Sequence, residues 1–128
     1  VSSIDVMKRS ENSWEVYIDN GREPTGIDAL EWAKKVEKLG AGEIMLTSID
    51  MEGTKKGFDI ELNRRVSEMV SIPIISCGGA GCDNDIINLI DGSNIDAVAL
   101  ASILHYELYS VKSLKEFLFH KRKVDIRI

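Results

Sequence analysis

The residues best suited to chemistry are carboxylates and glycines that directly follow apolar stretches of the chain. The first is Asp5, which ends a short β-branched run beginning at Val1. A carboxylate at a strand end has a fixed position and partial burial, as a general acid or base requires. An aspartate at this position can equally accept a hydrogen bond from a loop amide. The sequence pattern leaves both roles open for Asp5.

A second polar group follows the apolar run that ends at Ile49 and consists of Asp50, Glu52 and Gly53. Two carboxylates at alternate positions suggest a cation, but no histidine is near in sequence and two oxygen ligands are too few for calcium or magnesium. We therefore expect no metal and no other cofactor. Gly53 instead allows a backbone N–H to approach an anion, with Asp50 or Glu52 binding substrate hydroxyls or orienting the loop.

Two further loops follow apolar runs, and their residues are Gly78-Gly79-Ala80-Gly81 and Ala101-Ser102. Together they resemble the phosphate cradle that barrels place after their last two strands. Backbone N–H groups and a helix N-terminus hold phosphate there without lysine or arginine. A single glycine run is often only a tight turn, whereas these two loops together with Gly53 predict phosphate binding.

The segments around these residues alternate between strand and helix patterns. Mostly apolar runs of strand length, typical of strands buried in parallel sheets, cover residues 1–5, 43–49, 72–76 and 95–100. Helical spacing of apolar residues predicts helices at 28–39, 60–70, 83–90 and after a capping box that starts at Ser113. Trp14–Ile18 alternates at period two before the turn Asp19-Asn20-Gly21, which predicts an inserted hairpin, not a core strand.

Four βα units predict an α/β fold with parallel strands and right-handed crossovers. Such units form either a small open sheet or half of a closed (β/α)8 barrel. The half barrel is favoured because every strand leads into a glycine- or carboxylate-bearing loop on one face. We expect residues 1–128 to form a single domain, whose two open edges are paired by self-association or by a missing half. The strand-like start at Val1 suggests a fragment.

Composition excludes several functional classes. A net charge of -5, with basic residues only in short runs such as Lys121–Lys123, argues against nucleic-acid binding. No run approaches the roughly 20 apolar residues that span a bilayer, and no signal-peptide pattern is present, so we expect a cytoplasmic protein without membrane contact. Cys77 and Cys82 lack redox or metal spacing and are expected to be reduced, with Cys77 a small core side chain.

Four blocks of the chain together resemble one enzyme family, the cyclase subunits of imidazole glycerol phosphate synthase. The blocks are Gly40–Asp50, Gly53–Asp59 with its Gly53-Thr54 and Gly57-Phe58-Asp59 elements, Ile74–Gly81 and Ala99–Ser102. The resemblance runs from Ser3 to the C-terminus but covers only the second half of a family member. It implies the C-terminal half of a (β/α)8 TIM barrel with a hairpin inserted after the first strand.

The resemblance also implies roles for individual residues. Asp5 matches a catalytic aspartate that acts with a second carboxylate on the absent first strand. Four residues match positions that bind one of the substrate's two phosphates, namely Gly53, Gly79, Ala101 and Ser102. Glu43 begins a strand at the opposite face, where a charge normally serves solubility. By the resemblance it matches a charged residue of an ammonia gate, on the face where a glutaminase docks.

The family is a lyase of histidine biosynthesis. It uses ammonia from a glutaminase subunit to convert a phosphorylated ribotide into imidazole glycerol phosphate and aminoimidazole carboxamide ribotide, and an isolated half is expected to be inactive. This chain departs from the family pattern at Met51-Glu52, Cys77 and Cys82. Two alternatives therefore stay open: a paralogue that supplies ammonia to a surface-sugar precursor, and a non-catalytic phosphate-binding half barrel.

Overall fold

The computed structural model describes residues 1–122, and the predicted surface run Lys121–Lys123 extends beyond them. Within this range the chain forms a sheet covered by helices. Its strands are β1 (Ser2–Ser10), β2 (Ser13–Ile18), β3 (Glu23–Asp28), β4 (Ile44–Ser48), β5 (Ile74–Cys77) and β6 (Ala97–Ala99). Its helices are α1 (Ala29–Lys38), α2 (Ile60–Met69), α3 (Asp83–Gly92), α4 (Ser102–His105) and α5 (Val111–Arg122).

The strands form one six-stranded sheet in the order β3-β2-β1-β4-β5-β6. The four strands β1, β4, β5 and β6 are parallel, while β2 and β3 form an antiparallel hairpin on the outer side of β1. Helices connect successive parallel strands, as four βα units require. The predicted half barrel with a hairpin inserted after its first strand is confirmed.

Two apolar clusters hold the helices against the sheet. The first includes Ile4, Leu46 and Ile74 from the parallel strands and Val36 and Leu62 from α1 and α2. The second is formed where α3 and α5 pack together, with Leu89 and Leu118 among its members. Because side chains alternate along a strand, residues of β1, β4 and β5 that point into the first cluster leave their neighbours on the opposite face.

Local capping explains where the helices begin. Asp28 accepts hydrogen bonds from the Leu30 and Glu31 amides at 2.9 and 3.1 Å, so its predicted role as the N-cap of α1 is confirmed. The predicted start of the last helix is wrong by one turn. Ser113 is not the cap, because its amide donates to Ser110 Oγ at 3.0 Å while its own Oγ accepts from the Ser110 amide at 3.0 Å. The cap of α5 is therefore Ser110.

The hairpin is more deeply integrated than its sequence pattern indicates. Strand β1 continues through the polar residues up to Ser10 because they pair with β2, so the prediction that the first strand ends at Asp5 is wrong. Trp14 and Val16 are buried in the first cluster, so the prediction that Trp14–Ile18 is not a core strand is wrong, although the segment does form the inserted hairpin. Glu15 is buried as well, and it accepts hydrogen bonds from the Arg9 side chain and the Gly26 amide. These polar contacts satisfy a carboxylate that burial would otherwise penalise.

The two sides of the sheet end differently. At one side β6 is the edge strand in the described part of the chain. At the other side the antiparallel hairpin covers β1 only from Asp5 onward, where Asp5 lies opposite Tyr17. The backbone of Ser2–Ile4 has no strand beside it on that side within residues 1–122. One of the two predicted open parallel edges is thus half covered by the chain itself.

No helix within residues 1–122 combines the length and the apolar character needed to cross a bilayer.

Candidate active site

Asp5 lies in a row of residues that crosses the four parallel strands. The register pairs Asp5 with Thr47, Thr47 with Cys77, and Cys77 with Ala99. Neighbours in this register point to the same face of a parallel sheet. Ile4, Leu46 and the other buried residues next to them face the helices, so the Asp5 row faces away from the helices. The row lies at or near the carboxyl ends of β4, β5 and β6, but inside β1.

Cys77 contacts one of the predicted site residues. Its Sγ donates to Glu52 Oε2 at 3.9 Å, a long contact for a thiol donor. Burial raises the pKa of the Cys77 thiol, and the Glu52 carboxylate raises it further because a thiolate beside it would be repelled. The prediction that Cys77 is a core side chain is wrong, since it lies half-buried on the face away from the helices.

A small pocket adjoins this row. It is lined by Glu52, Gly78, Gly79, Ala80, Ala99, Leu100, Ala101 and Ser102. Five of the predicted site residues therefore meet at one place, although they come from three separate loops. These are the loops after β4, β5 and β6, whose strands are neighbours in the sheet.

The two glycines of the pocket are there for a physical reason. Gly78 and Gly79 have φ of +101° and +108°, a region that L side chains avoid. A Cβ on Gly78 would lie 2.6 Å from Ser48 O, and one on Gly79 would lie 2.0 Å from Gly57 O. Only glycine allows the loops after β4 and β5 to approach this closely, which brings backbone instead of side chains to the pocket wall.

The pocket lies beside the start of α4 and not at the start of α3. Asp85 Oδ2 accepts hydrogen bonds from the Gly81 and Cys82 amides at 2.8 and 3.0 Å, so the chain's own carboxylate occupies the two amides just before α3. The segment around Ala101 and Ser102, by contrast, lines the pocket. Ser102 is the first residue of α4.

The remaining predicted site residues lie outside the pocket. Asp50 accepts a hydrogen bond from Ser48 Oγ at 3.1 Å, a contact that orders the turn after β4. Gly53 has φ of +73° and is not among the residues that line the pocket. Glu43 directly precedes β4 at the opposite end of the sheet, where its carbonyl accepts from the Ser2 amide at 2.8 Å and its side chain is exposed.

Within residues 1–122 no three histidine, cysteine, aspartate or glutamate side chains are grouped so that they could hold a metal ion.

Sequence reasoning missed that Thr47 and Cys77 lie in the same row as Asp5. The signal was present, because alternation along β4 and β5 assigns Thr47 to the opposite face from Leu46, and Cys77 to the opposite face from Ser76. It also missed Gly57, whose amide donates to Gly79 O at 2.8 Å. No sequence pattern indicates that contact, because it joins two different loops.

Comparison with known proteins gives a consistent assignment. Residues 1–110 match the family described as "Histidine biosynthesis protein". The imidazole glycerol phosphate synthase subunit HisF of Dehalococcoides mccartyi strain BAV1 is 53% identical over 121 residues, which are 94% of this chain and 47% of that protein. The HisF subunit of Clostridium botulinum strain Alaska E43 is 47% identical over 129 residues, 100% of this chain and 51% of that protein.

The chain spans about half the length of the curated relatives it matches. The similarity extends across the candidate active site, from Asp5 to Ser102. The chain therefore belongs to the histidine biosynthesis protein family and is a homologue of the HisF subunit of imidazole glycerol phosphate synthase.

Proposed function

We propose that this chain is the C-terminal half of an ammonia-dependent cyclase of histidine biosynthesis. The complete enzyme would convert phosphoribulosyl formimino aminoimidazole carboxamide ribotide into imidazole glycerol phosphate and aminoimidazole carboxamide ribotide. One observation carries the proposal: Asp5 lies in register with Thr47, Cys77 and Ala99, and Ala99 lines a pocket to which Gly78 and Gly79 contribute backbone. The membership in a histidine biosynthesis family agrees with it.

Asp5 acts as a general acid or base in this proposal. Closing an imidazole ring requires protons to be moved onto and off nitrogen and oxygen atoms, and a partly buried carboxylate near the end of the parallel pairing of β1 with β4 can exchange them. The second carboxylate of the reaction belongs to the first half of the barrel. The backbone around Gly78, Gly79, Ala101 and Ser102 binds one phosphate of the substrate, while the first half binds the other.

The open parts of the sheet support a requirement for a second half. The outer edge of β6 and the uncovered backbone of Ser2–Ile4 each offer unpaired strand groups. Between these edges, the face that carries Asp5 also holds Met45 and Ile75, which are only half-buried. Closing the barrel would cover this face and complete the site. We expect the isolated chain to be inactive for this reason.

The opposite end of the sheet, where the parallel strands begin, is the proposed docking side for a glutaminase subunit. Glu43 lies there as the gate residue through which ammonia enters the barrel. Leu39, in the turn just before it, is 74% exposed, an arrangement that suits an interface. Glu43→Gln is expected to lower glutamine-dependent activity while activity with added ammonium salt is retained. An equal loss with both nitrogen sources would contradict the gate.

Asp5→Asn tests the catalytic proposal in a barrel completed by the N-terminal half. With ammonium chloride as nitrogen source, formation of imidazole glycerol phosphate should fall about 10²- to 10⁴-fold, the usual contribution of acid–base catalysis. Asp19→Asn is the matched control, because Asp19 lies exposed in the β2–β3 turn and asparagine tolerates its φ of +52°.

The outcomes separate the alternatives. Loss of activity with Asp5→Asn alone supports the cyclase. Unchanged activity in that variant shows that Asp5 is not the acid or base. Binding of phosphate by a completed barrel that never forms the product would identify a phosphate-binding module instead of a cyclase.

A further inference from the structure

The hairpin and the pocket are joined by two hydrogen bonds and the short stretch of chain between them, beginning at Trp14. The Trp14 side chain is 1% exposed, and its indole N–H donates to Asp59 Oδ2 at 2.7 Å. A buried indole N–H that loses its acceptor is costly, so this bond holds both partners in place. It joins β2 to the start of α2, although the two residues are 45 positions apart.

Asp59 uses its other carboxylate oxygen to begin α2. Asp59 Oδ1 accepts from the Leu62 amide at 3.0 Å, and the Asp59 carbonyl accepts from Asn63 Nδ2 at 2.8 Å. One carboxylate thus binds the hairpin and the first turn of the helix at once. A displacement of Trp14 would therefore be passed to the start of α2 and to the loop residues just before it.

Those loop residues contact the pocket directly. Gly57, two positions before Asp59, donates its N–H to Gly79 O at 2.8 Å. The two backbones are so close that a Cβ on Gly79 would overlap Gly57 O. Gly79 itself lines the pocket. Gly57 belongs to the loop that ends at Asp59, the N-cap of α2. The position of this pocket wall consequently depends on the position of Asp59.

We propose that Trp14 is a positioning residue for the phosphate pocket, acting through Asp59 and Gly57 on Gly79. The inference rests on the proposed function, since it takes the pocket to be a phosphate site. The Trp14 side chain does not line the pocket, so its effect is on where the pocket wall lies. Because coupling between two sites is reciprocal, phosphate in the pocket also changes the surroundings of Trp14.

Trp14→Phe removes the donor and keeps an aromatic side chain. Calorimetric titration with inorganic phosphate is expected to show binding weakened by about 3- to 30-fold. Trp32→Phe is the matched control. Trp32 lies half-buried on α1 with Lys35 over its ring at 5.1 Å, and phosphate binding should be unchanged in this variant.

Failure of this inference and failure of the proposed function give different results. If the unsubstituted chain binds no phosphate, the proposed phosphate site is wrong and the inference falls with it. If the unsubstituted chain binds phosphate and Trp14→Phe binds it equally well, only the inference is overturned.

A spectroscopic measurement separates positioning from general stability. The chain has two tryptophans, so in the Trp32→Phe protein all tryptophan emission comes from Trp14. Phosphate is expected to change this emission with the midpoint that calorimetry gives. A merely structural Trp14 would show no response, and that result would overturn the inference.

Asp59→Asn gives a second route that does not depend on the folding of Trp14→Phe. It keeps the size of the side chain and one acceptor oxygen, so one of the two bonds of Asp59 is lost. Phosphate binding should weaken, and the effect of Trp14→Phe should shrink when both substitutions are combined. Fully additive effects, or unchanged binding in Asp59→Asn, would contradict transmission through this carboxylate.

Discussion

Replacing Gly79 by alanine should destabilise the chain far more than replacing Gly53 by alanine. Both glycines have positive φ, +108° and +73°, so an alanine at either position costs about 1–2 kcal/mol of backbone strain. The space around them differs. A Cβ on Gly53 meets nothing within 4 Å, whereas a Cβ on Gly79 would lie 2.0 Å from Gly57 O. Gly53→Ala therefore isolates the conformational cost.

The additional cost at Gly79 follows from this overlap. An oxygen and a methyl carbon need roughly 3.2 Å, so the two backbones must separate by about 1 Å, consistent with the close packing of interiors. That movement breaks the bond from the Gly57 amide to Gly79 O, worth about 0.5–1.5 kcal/mol net, and adds strain of about 1 kcal/mol. We expect about 1 kcal/mol for Gly53→Ala and about 3 kcal/mol for Gly79→Ala.

Chemical denaturation followed by circular dichroism measures the difference, with thermal unfolding as a second method. At about 2.1 cal/mol/K per residue, a gap of about 2 kcal/mol corresponds to a gap in Tm of about 7 °C for 128 residues. The slopes of the denaturation curves should stay equal, because the same surface is exposed on unfolding. Equal midpoints for the two variants would refute the close approach of the two loops.

Three further predictions concern single side chains. Burial and then Glu52 raise the pKa of Cys77. In a Cys82→Ser chain the Cys77 thiol should therefore react with iodoacetamide more slowly at pH 8 than a peptide cysteine does, and the reaction rate should still rise above pH 9. A rate profile with its midpoint at or below that of free cysteine would contradict this. Arg64 and Arg65 lower the pKa of Glu61 to about 2. The stabilising effect of the Glu61 carboxylate should therefore be complete above about pH 4.5 and be lost as the pH falls through 2. Carboxyl-carbon NMR should show a titration midpoint for Glu61 at about pH 2, which shifts upward in about 0.5 M salt because salt screens the arginines. Asp28→Ala should cost about 1 kcal/mol in chemical denaturation by removing the α1 cap, while a cost near zero would show that α1 does not need it.

Much of the fold could be predicted because its signals are local. The apolar run of β4 and the helical spacing from Ala29 to Leu39 each lie within one short segment, and the cap at Asp28 needs only the residues beside it. The hairpin turn at Asp19-Asn20-Gly21 is local as well. The prediction that Trp14–Ile18 is not a core strand failed, because partners distant in the chain decided the outcome. Trp14 is buried in a cluster that includes residues of α2 and β1, and the alternating pattern of β2 does not contain that packing.

The candidate site shows the same division. The glycine loops could be named in advance because the loops that follow parallel strands lie at one edge of the sheet. Asp5 was named from the end of its apolar run, although β1 continues past it to Ser10. Glu52, Gly79 and Ser102 share one pocket, whereas Asp50 and Gly53 do not line it. This arrangement depends on how three loops pack together. The order of residues along the chain does not contain that packing.

The sequence by itself determined the alternation of strands and helices, the family to which the chain belongs, and the identity of the residues after each strand. These follow from periodicity, capping and residue type, which act over a few positions. Only the tertiary structure decided that Asp5, Thr47 and Cys77 lie in one register and that the Trp14 indole N–H bonds to Asp59. The reason is physical: such contacts join residues tens of positions apart, and they exist only once packing has fixed the distance between separate elements.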